Sequence, residues 1–204
     1  MFRCGVGLLN QWRGCLAWEM AGLRLGIDLD GVVADFTKGW MHFYNRDFGA
    51  ELKVEDSVSW NGITDLTHFR SMGEFWHWAS DLDGKSLFWH LETFPGAVEA
   101  LDALAGDGHH IAILTTKPVF AVHDTYDWLA RHQLPTTEVH ILEDKWRVDC
   151  DVYLDDSPEV LPQLVRHRGD RTICRFVRRW NQPVDGAIDV TGFSEFREVV
   201  SRLA

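Results

Sequence analysis

Two aspartates close a short apolar run in Leu25-Gly26-Ile27-Asp28-Leu29-Asp30-Gly31-Val32-Val33-Ala34-Asp35-Phe36. Carboxylates set side by side in an apolar setting cost free energy unless something positive sits between them. A hard cation such as Mg²⁺, which takes carboxylate oxygens, is the simplest such partner. Later stretches supply the rest of a reactive centre: Thr115-Thr116-Lys117, then Lys145, then Asp155-Asp156. The set holds carboxylates for a metal, a hydroxyl for an oxyanion and a lysine to offset charge. A lone DxD or a lone DD pair reads as solvated acid, so the weight lies in the combination. Lys38, Lys53, Lys85, Lys117 and Lys145 are the only lysines among 20 cationic residues. The routine cation of this chain is arginine, so lysines at 117 and 145 carry information.

The elements that must position these residues follow from hydrophobic periodicity. Arg24 to Leu29 reads as a buried strand, and the segment from Val32 to about Phe48 as a helix whose Phe36, Trp40, Phe43 and Tyr44 share a face. Residues 49–63 read as loop, with helical patches at 64–72 and 74–82. After Pro95 the pattern is regular. A helix over Gly96–Ala105, with Thr93 as a cap, precedes a strand over His110–Leu114. A helix over 121–132 and a strand over Val139–Leu142 come next. A strand over Asp151–Leu154, a helix over Pro158–His167, a strand over Thr172–Val177 and a helix over Ser194–Leu203 complete the chain. Strands alternating with helices of this length predict an α/β fold with a doubly wound parallel sheet. In such a sheet the strand carboxyl ends lie together, and each reactive set above sits just beyond one of them.

Residues 36–94 differ in composition. They hold 13 of the 25 aromatic residues within 59 of 204 positions, with no strand-like alternation. This segment is expected to be a small, mainly helical cap inserted after the first strand, with 23–35 and 95–204 forming the core. Aromatics at helical spacing are usually core. Their excess also suits a wall that grips a planar group. His77 and His90 share no metal-ligand spacing and read as ordinary surface or core residues.

The formal net charge of −11 disfavours nucleic-acid polymers and anionic membranes as partners, since both need clustered basic charge. No apolar run approaches the ~18 residues of a spanning helix. Cys4, Cys15, Cys150 and Cys174 form no CxxC pair, which fits reduced thiols and a cytoplasmic protein. Residues 1–22 lack the continuous apolar core of a secretory signal. They are read as a poorly defined extension, with Met20 as an alternative start.

Asp28-Leu-Asp30-Gly31-Val-Val, Ile113-Leu-Thr115-Thr116, Lys145 and Tyr153-Leu-Asp155-Asp156-Ser-Pro resemble, in order, the four motifs of the haloacid dehalogenase (HAD) superfamily of phosphatases. Within it, the opening Asp28–Phe36, the stretch Leu91–Glu99, the Asp144-Lys145 pair ten residues before Asp155 and the later Asn181-Gln182 resemble the 5′(3′)-deoxyribonucleotidase branch. The resemblance implies that Asp28 is the nucleophile and Asp30 the general acid and base. It implies Mg²⁺ between Asp28, the backbone carbonyl of Asp30 and Asp155. Asp156 reads as a supporting, structural residue, bonding the backbone and Lys145 rather than the metal. Thr115 would bind a phosphate oxygen, and Lys145 would offset the charge in flight. Phe36 would stack on a base. Thr116, Lys117, Trp76 and Trp89, with Trp78 as a further candidate, are expected to line the substrate pocket.

The expected function is a Mg²⁺-dependent phosphomonoesterase working through an aspartyl-phosphate. Its expected substrate is a small phosphorylated metabolite, a nucleoside monophosphate with pyrimidine preference. One alternative is a HAD phosphatase for another small phosphate ester. Another, not an enzyme, is a phosphate-binding regulatory protein on the same fold. The sequence leaves monomer and homodimer both open.

Overall fold

The computed structural model describes residues 22–204. The expectations placed on residues 1–21, including Cys4 and Cys15, lie outside the described residues. Six strands form one parallel sheet: β1 (Arg24–Ile27), β2 (His110–Thr115), β3 (Glu138–Ile141), β4 (Val152–Asp155), β5 (Thr172–Phe176) and β6 (Ile188–Val190), ordered β3-β2-β1-β4-β5-β6. From β1 the chain runs to β2 on one side and later to β4 on the other. That reversal of direction opens a crevice at the carboxyl ends of the central strands.

Burial follows the strand period of two. Leu25 and Ile27 of β1 pack into one apolar cluster together with Ile111, Ile113, Val152 and Leu154. On the opposite face Ala112, Leu114, Tyr153 and Ile173 pack with Leu161 and Leu164, which belong to helix α7 (Val160–His167). Gly26 lets this second layer close tightly. A Cβ there would lie 2.7 Å from Leu114 Cδ1 and 3.0 Å from Cys150 Sγ.

Between β1 and β2 the chain forms α1 (Phe36–Phe48), α2 (Ile63–Leu66), α3 (Met72–Ala79), α4 (Leu87–His90) and α5 (Ala97–Gly106). α6 (Val122–Arg131) follows β2, and α8 (Phe193–Ser201) closes the chain. The first helix begins at Phe36 and not at Val32. Residues 30–34 instead make a tight turn in which Leu29 O accepts from the backbone N–H groups of Val32, Val33 and Ala34 at 3.2, 2.8 and 2.8 Å. Asp35 then caps the helix by accepting from Lys38 N at 3.1 Å, and Gly49 ends it with φ of +64°.

Thr93 does not cap α5. The preceding residue Gly96 takes that position, and Thr93 pairs with Ala34 in an antiparallel bridge. The chain's exit from β1 and its return to α5 are thus laced together, with Asp35 N donating to Glu92 O at 2.9 Å and Phe94 N to Val33 O at 2.8 Å.

β6 has no counterpart in the sequence reading. Its three residues are too short to show a period, and only Val190 is buried. Pairing with β5 makes it a strand. Cys150 and Cys174 are buried and unpaired. Among the described residues no helix is long and apolar enough to cross a membrane.

Candidate active site

β1 delivers Asp28 to the floor of the crevice. Its backbone N–H still donates to Leu154 O at 3.0 Å, so the nucleophile candidate is held at the carboxyl end of the sheet's centre. Gly31 follows with φ of +81°, a conformation that L side chains rarely adopt. A Cβ at Gly31 would also lie 2.2 Å from Asp156 Oδ2. The glycine is therefore needed both for the turn and for the approach of the second acidic pair.

Lys145 Nζ sits between two carboxylates, 2.8 Å from Asp28 Oδ1 and 2.7 Å from Asp155 Oδ2. Burial opposes its charge, but Asp155 and Asp28 outweigh that and raise its pKa above the ordinary lysine value. Asp155 Oδ1 accepts from Ser157 N at 2.8 Å. Burial pushes the Asp155 carboxyl up to about 6, against the pull of Lys145.

Asp156 is fully buried. Its Oδ2 accepts from Trp180 Nε1 at 2.9 Å, whereas its Oδ1 has no partner. Burial, with Asp28 and Asp155 nearby, pushes its pKa well above the usual carboxylate range. The expectation that Asp156 bonds Lys145 is corrected here, because Lys145 is committed to Asp28 and Asp155. Oxygens of Asp28, Asp155 and Asp156 lie within 4.8 Å of one another. Three buried carboxylates around a single ammonium, one with an unpartnered oxygen, fit a divalent cation of the oxygen-seeking kind.

The carboxylate of Asp30 pairs with Lys117, a side chain only 2% exposed. The lysine also lies over the Phe88 ring, 4.1 Å from its centroid. Burial raises the Asp30 pKa, opposed by Lys117. Burial lowers that of Lys117, opposed by Asp30. Asp30 Oδ1 is buried without a partner, as is Thr115 Oγ1.

A cleft of about 520 Å³ opens above these groups, lined by Asp28, Asp30, Lys117, Lys145 and Asp156 below and by Phe36, Trp76 and Phe88 along one wall. Phe88 stacks on both of the other wall rings, at 24° to Phe36 and 23° to Trp76, while Phe36 and Trp76 are tilted by 47° to each other.

Thr116 also lines the cleft and donates its hydroxyl to Leu142 O at 2.9 Å. Thr115 is fully buried and is not part of the cleft lining. Trp89 is corrected, since it stands away from the cleft between Arg131, 4.1 Å from its ring centroid, and Lys85 at 5.7 Å. Trp78 likewise faces the cap interior, its Nε1 donating to Asp47 Oδ2 at 3.0 Å. His90 Nε2 lies 2.7 Å from Leu82 O.

Sequence reasoning missed Trp60, Phe88 and Trp180 in the cleft lining. Trp180 had a usable signal, because it lies just beyond a strand carboxyl end beside Asn181-Gln182. Phe88 and Trp60 had none beyond lying in an aromatic-rich segment.

Residues 22–203 match the family described as 5′ nucleotidase, deoxy (Pyrimidine), cytosolic type C protein. A Chlorobaculum tepidum protein with the provisional name 5′(3′)-deoxyribonucleotidase is 33% identical over 161 residues, covering 74% of this chain and 77% of that protein. The human mitochondrial 5′(3′)-deoxyribonucleotidase is 27% identical, covering 68% of this chain and 64% of the human protein.

Among solved structures, a dehalogenase with an intermediate complex superimposes with a TM-score of 0.61 at 16% identity, covering 88% of this chain and 97% of that one. The HAD-hydrolase YfnB of Bacillus subtilis, bound to magnesium, gives 0.60 at 12%, covering 88% and 98%. These two establish the fold. The chain belongs to the cytosolic type C 5′-nucleotidase family and is a phosphoric monoester hydrolase on a HAD-like core.

Proposed function

We propose that the protein is a Mg²⁺-dependent nucleoside monophosphatase that works through an aspartyl-phosphate on Asp28, with pyrimidine nucleotides preferred. The observation that carries this reading is Lys145 bridging Asp28 and Asp155 beside the unpartnered oxygen of Asp156. An anionic phosphate can enter such a site only if more positive charge comes with it.

Asp28 and Asp156, with Asp155 and the backbone carbonyl of Asp30, would hold the cation. When bound, it neutralises the acidic floor and polarises a phosphate oxygen. Asp28 attacks phosphorus while Asp30 gives its proton to the departing sugar oxygen as the phosphorus–oxygen bond breaks. A water then attacks the phosphorus of the aspartyl-phosphate. Asp30 takes the water's proton, and the bond to Asp28 breaks to release inorganic phosphate. The burial that raises the Asp30 pKa favours its acid form, as the first step requires. Lys145 offsets the charge of the group in flight. The aromatic wall of Phe36, Phe88 and Trp76, in which Phe88 stacks on the other two rings, favours a flat leaving group, and an aromatic contact of this kind contributes roughly 1–3 kcal/mol per base. A cytoplasmic enzyme of nucleotide metabolism fits these features.

The test is a phosphatase screen over deoxy- and ribonucleoside monophosphates, sugar phosphates and phosphoglycolate, with Mg²⁺ and with chelator. The expected result is Mg²⁺-dependent release of phosphate, fastest from pyrimidine deoxynucleotides. Best turnover on a sugar phosphate or phosphoglycolate sinks the nucleotide assignment. No turnover on any substrate sinks the enzyme mechanism.

A further inference from the structure

Trp180 lies in the loop after β5, outside the four motifs, yet its indole forms part of the cleft lining. Its N–H donates to Asp156 Oδ2 at 2.9 Å. The same oxygen is pressed against Gly31, where even a methyl group would come within 2.2 Å. The backbone of Asp156 is tied down as well, since Asn181 Nδ2 donates to its carbonyl at 2.8 Å. One carboxylate oxygen is thus fixed from two sides, while Oδ1 is buried and has no partner. An unsatisfied buried carboxylate oxygen is costly, and Asp156 stands in the cluster formed with Asp28 and Asp155.

We propose that Trp180 is a positioning residue for the divalent cation, locking Asp156 so that Oδ1 is kept free to bind it. This rests on the metal reading above. A neutral donor suits the task. An indole has one N–H and no positive charge, so it orients the carboxylate without cancelling the charge that the cation needs. Arg178 of the same loop adds positive charge nearby but makes no hydrogen bond to Asp156. Its Nε donates to Gly31 O at 2.7 Å, and its guanidinium lies over the Phe94 and Phe176 rings.

The deciding experiment titrates Mn²⁺ alone into the wild-type protein and into Trp180→Phe, counting free ion by electron paramagnetic resonance. Phenylalanine keeps an aromatic ring and removes the N–H. The expected result is about 10-fold weaker Mn²⁺ binding, the low end of the roughly 10–100-fold typical of outer-shell partners. The melting temperature of the metal-free variant should stay within about 2–4 °C of wild type, because a merely structural role would move stability and spare affinity. Equal Mn²⁺ affinity in the two proteins overturns the role of Trp180 and leaves the metal reading intact. Absence of Mn²⁺ binding by the wild type overturns both. If Trp180→Phe does not fold, ¹⁵N-indole spectra of the wild type decide. A Trp180 N–H resonance that shifts on adding Mg²⁺ supports the proposal, and one that stays put overturns it.

Discussion

The two ends of the same sheet treat their carboxylates in opposite ways. At the amino end, Glu138 on β3 accepts from Arg24 on β1 and lies 2.8 Å from His110 Nε2 and 2.5 Å from His140 Nε2. Despite partial burial, those partners pull its pKa down to about 2. At the carboxyl end, Asp155 is pushed up to about 6, and burial beside Asp28 and Asp155 pushes Asp156 well above the usual carboxylate range. The first end surrounds one acid with donors. The second crowds four acids around two lysines and leaves polar atoms of Asp30, Thr115 and Asp156 unpartnered. The amino end is arranged for stability, and the carboxyl end for a ligand that completes it.

The contrast can be broken by substitution. Asp28→Asn should lower kcat by at least about 10⁴-fold, as loss of a nucleophile does elsewhere, while moving the melting temperature by no more than about 2–4 °C. Substantial residual turnover would remove the covalent mechanism. Lys145→Met should damage both activity and stability, because it leaves Asp28 and Asp155 buried without their cation. Removing one partner of a buried pair costs about 3–5 kcal/mol, or roughly 6–20 °C in a domain of this size. Added Mg²⁺ should restore part of that loss. An unchanged melting temperature would mean that the lysine does not hold the acidic floor together.

Smaller effects sharpen the comparison. Phe36→Ala should raise KM about 10-fold for nucleotides and less for p-nitrophenyl phosphate, and equal effects on the two would remove the base-stacking role. Glu138→Gln should lower the melting temperature by a few degrees at pH 7 and leave kcat alone. Because the pKa of Glu138 is lower in the folded than in the unfolded protein, its contribution is present above the ordinary glutamate value of 4.5 and is lost as pH falls toward 2. The Glu138→Gln deficit should therefore shrink over that window, and a deficit constant down to pH 2 would break the assignment. The smallest effect expected is at Trp89, where replacement by Ala should leave kcat and KM unchanged in the substrate screen.

Much of this molecule is legible from local pattern. The five longer strands and the parallel winding follow from alternating apolar runs and helical stretches. The reactive set follows because each member lies just past a strand end. Asp28, Asp30, Lys145 and Asp155 could be placed together without a structure, since the winding rule brings those ends side by side. The cap was legible only as a composition. Phe75 and Phe69 form its buried centre, meeting at 77°, while Phe36, Trp76 and Phe88 face the cleft. Nothing in the spacing of these rings separates the two groups, because one helix can present aromatics both inward and toward a ligand.

The chemistry is legible in residue types and their order: which reactive side chains are present and which strand delivers each. Their order in the chain encodes the sheet, and the sheet fixes where the strand ends meet. Tertiary structure alone decided the partners. Lys145 took Asp28 and Asp155, Lys117 took Asp30, and Asp156 was left to Trp180. These pairings span separations from 10 to 117 residues. They depend on the room left by Gly31 and on which way each buried side chain can turn. No periodicity records such choices, because they are made when separate loops compete for the same small volume.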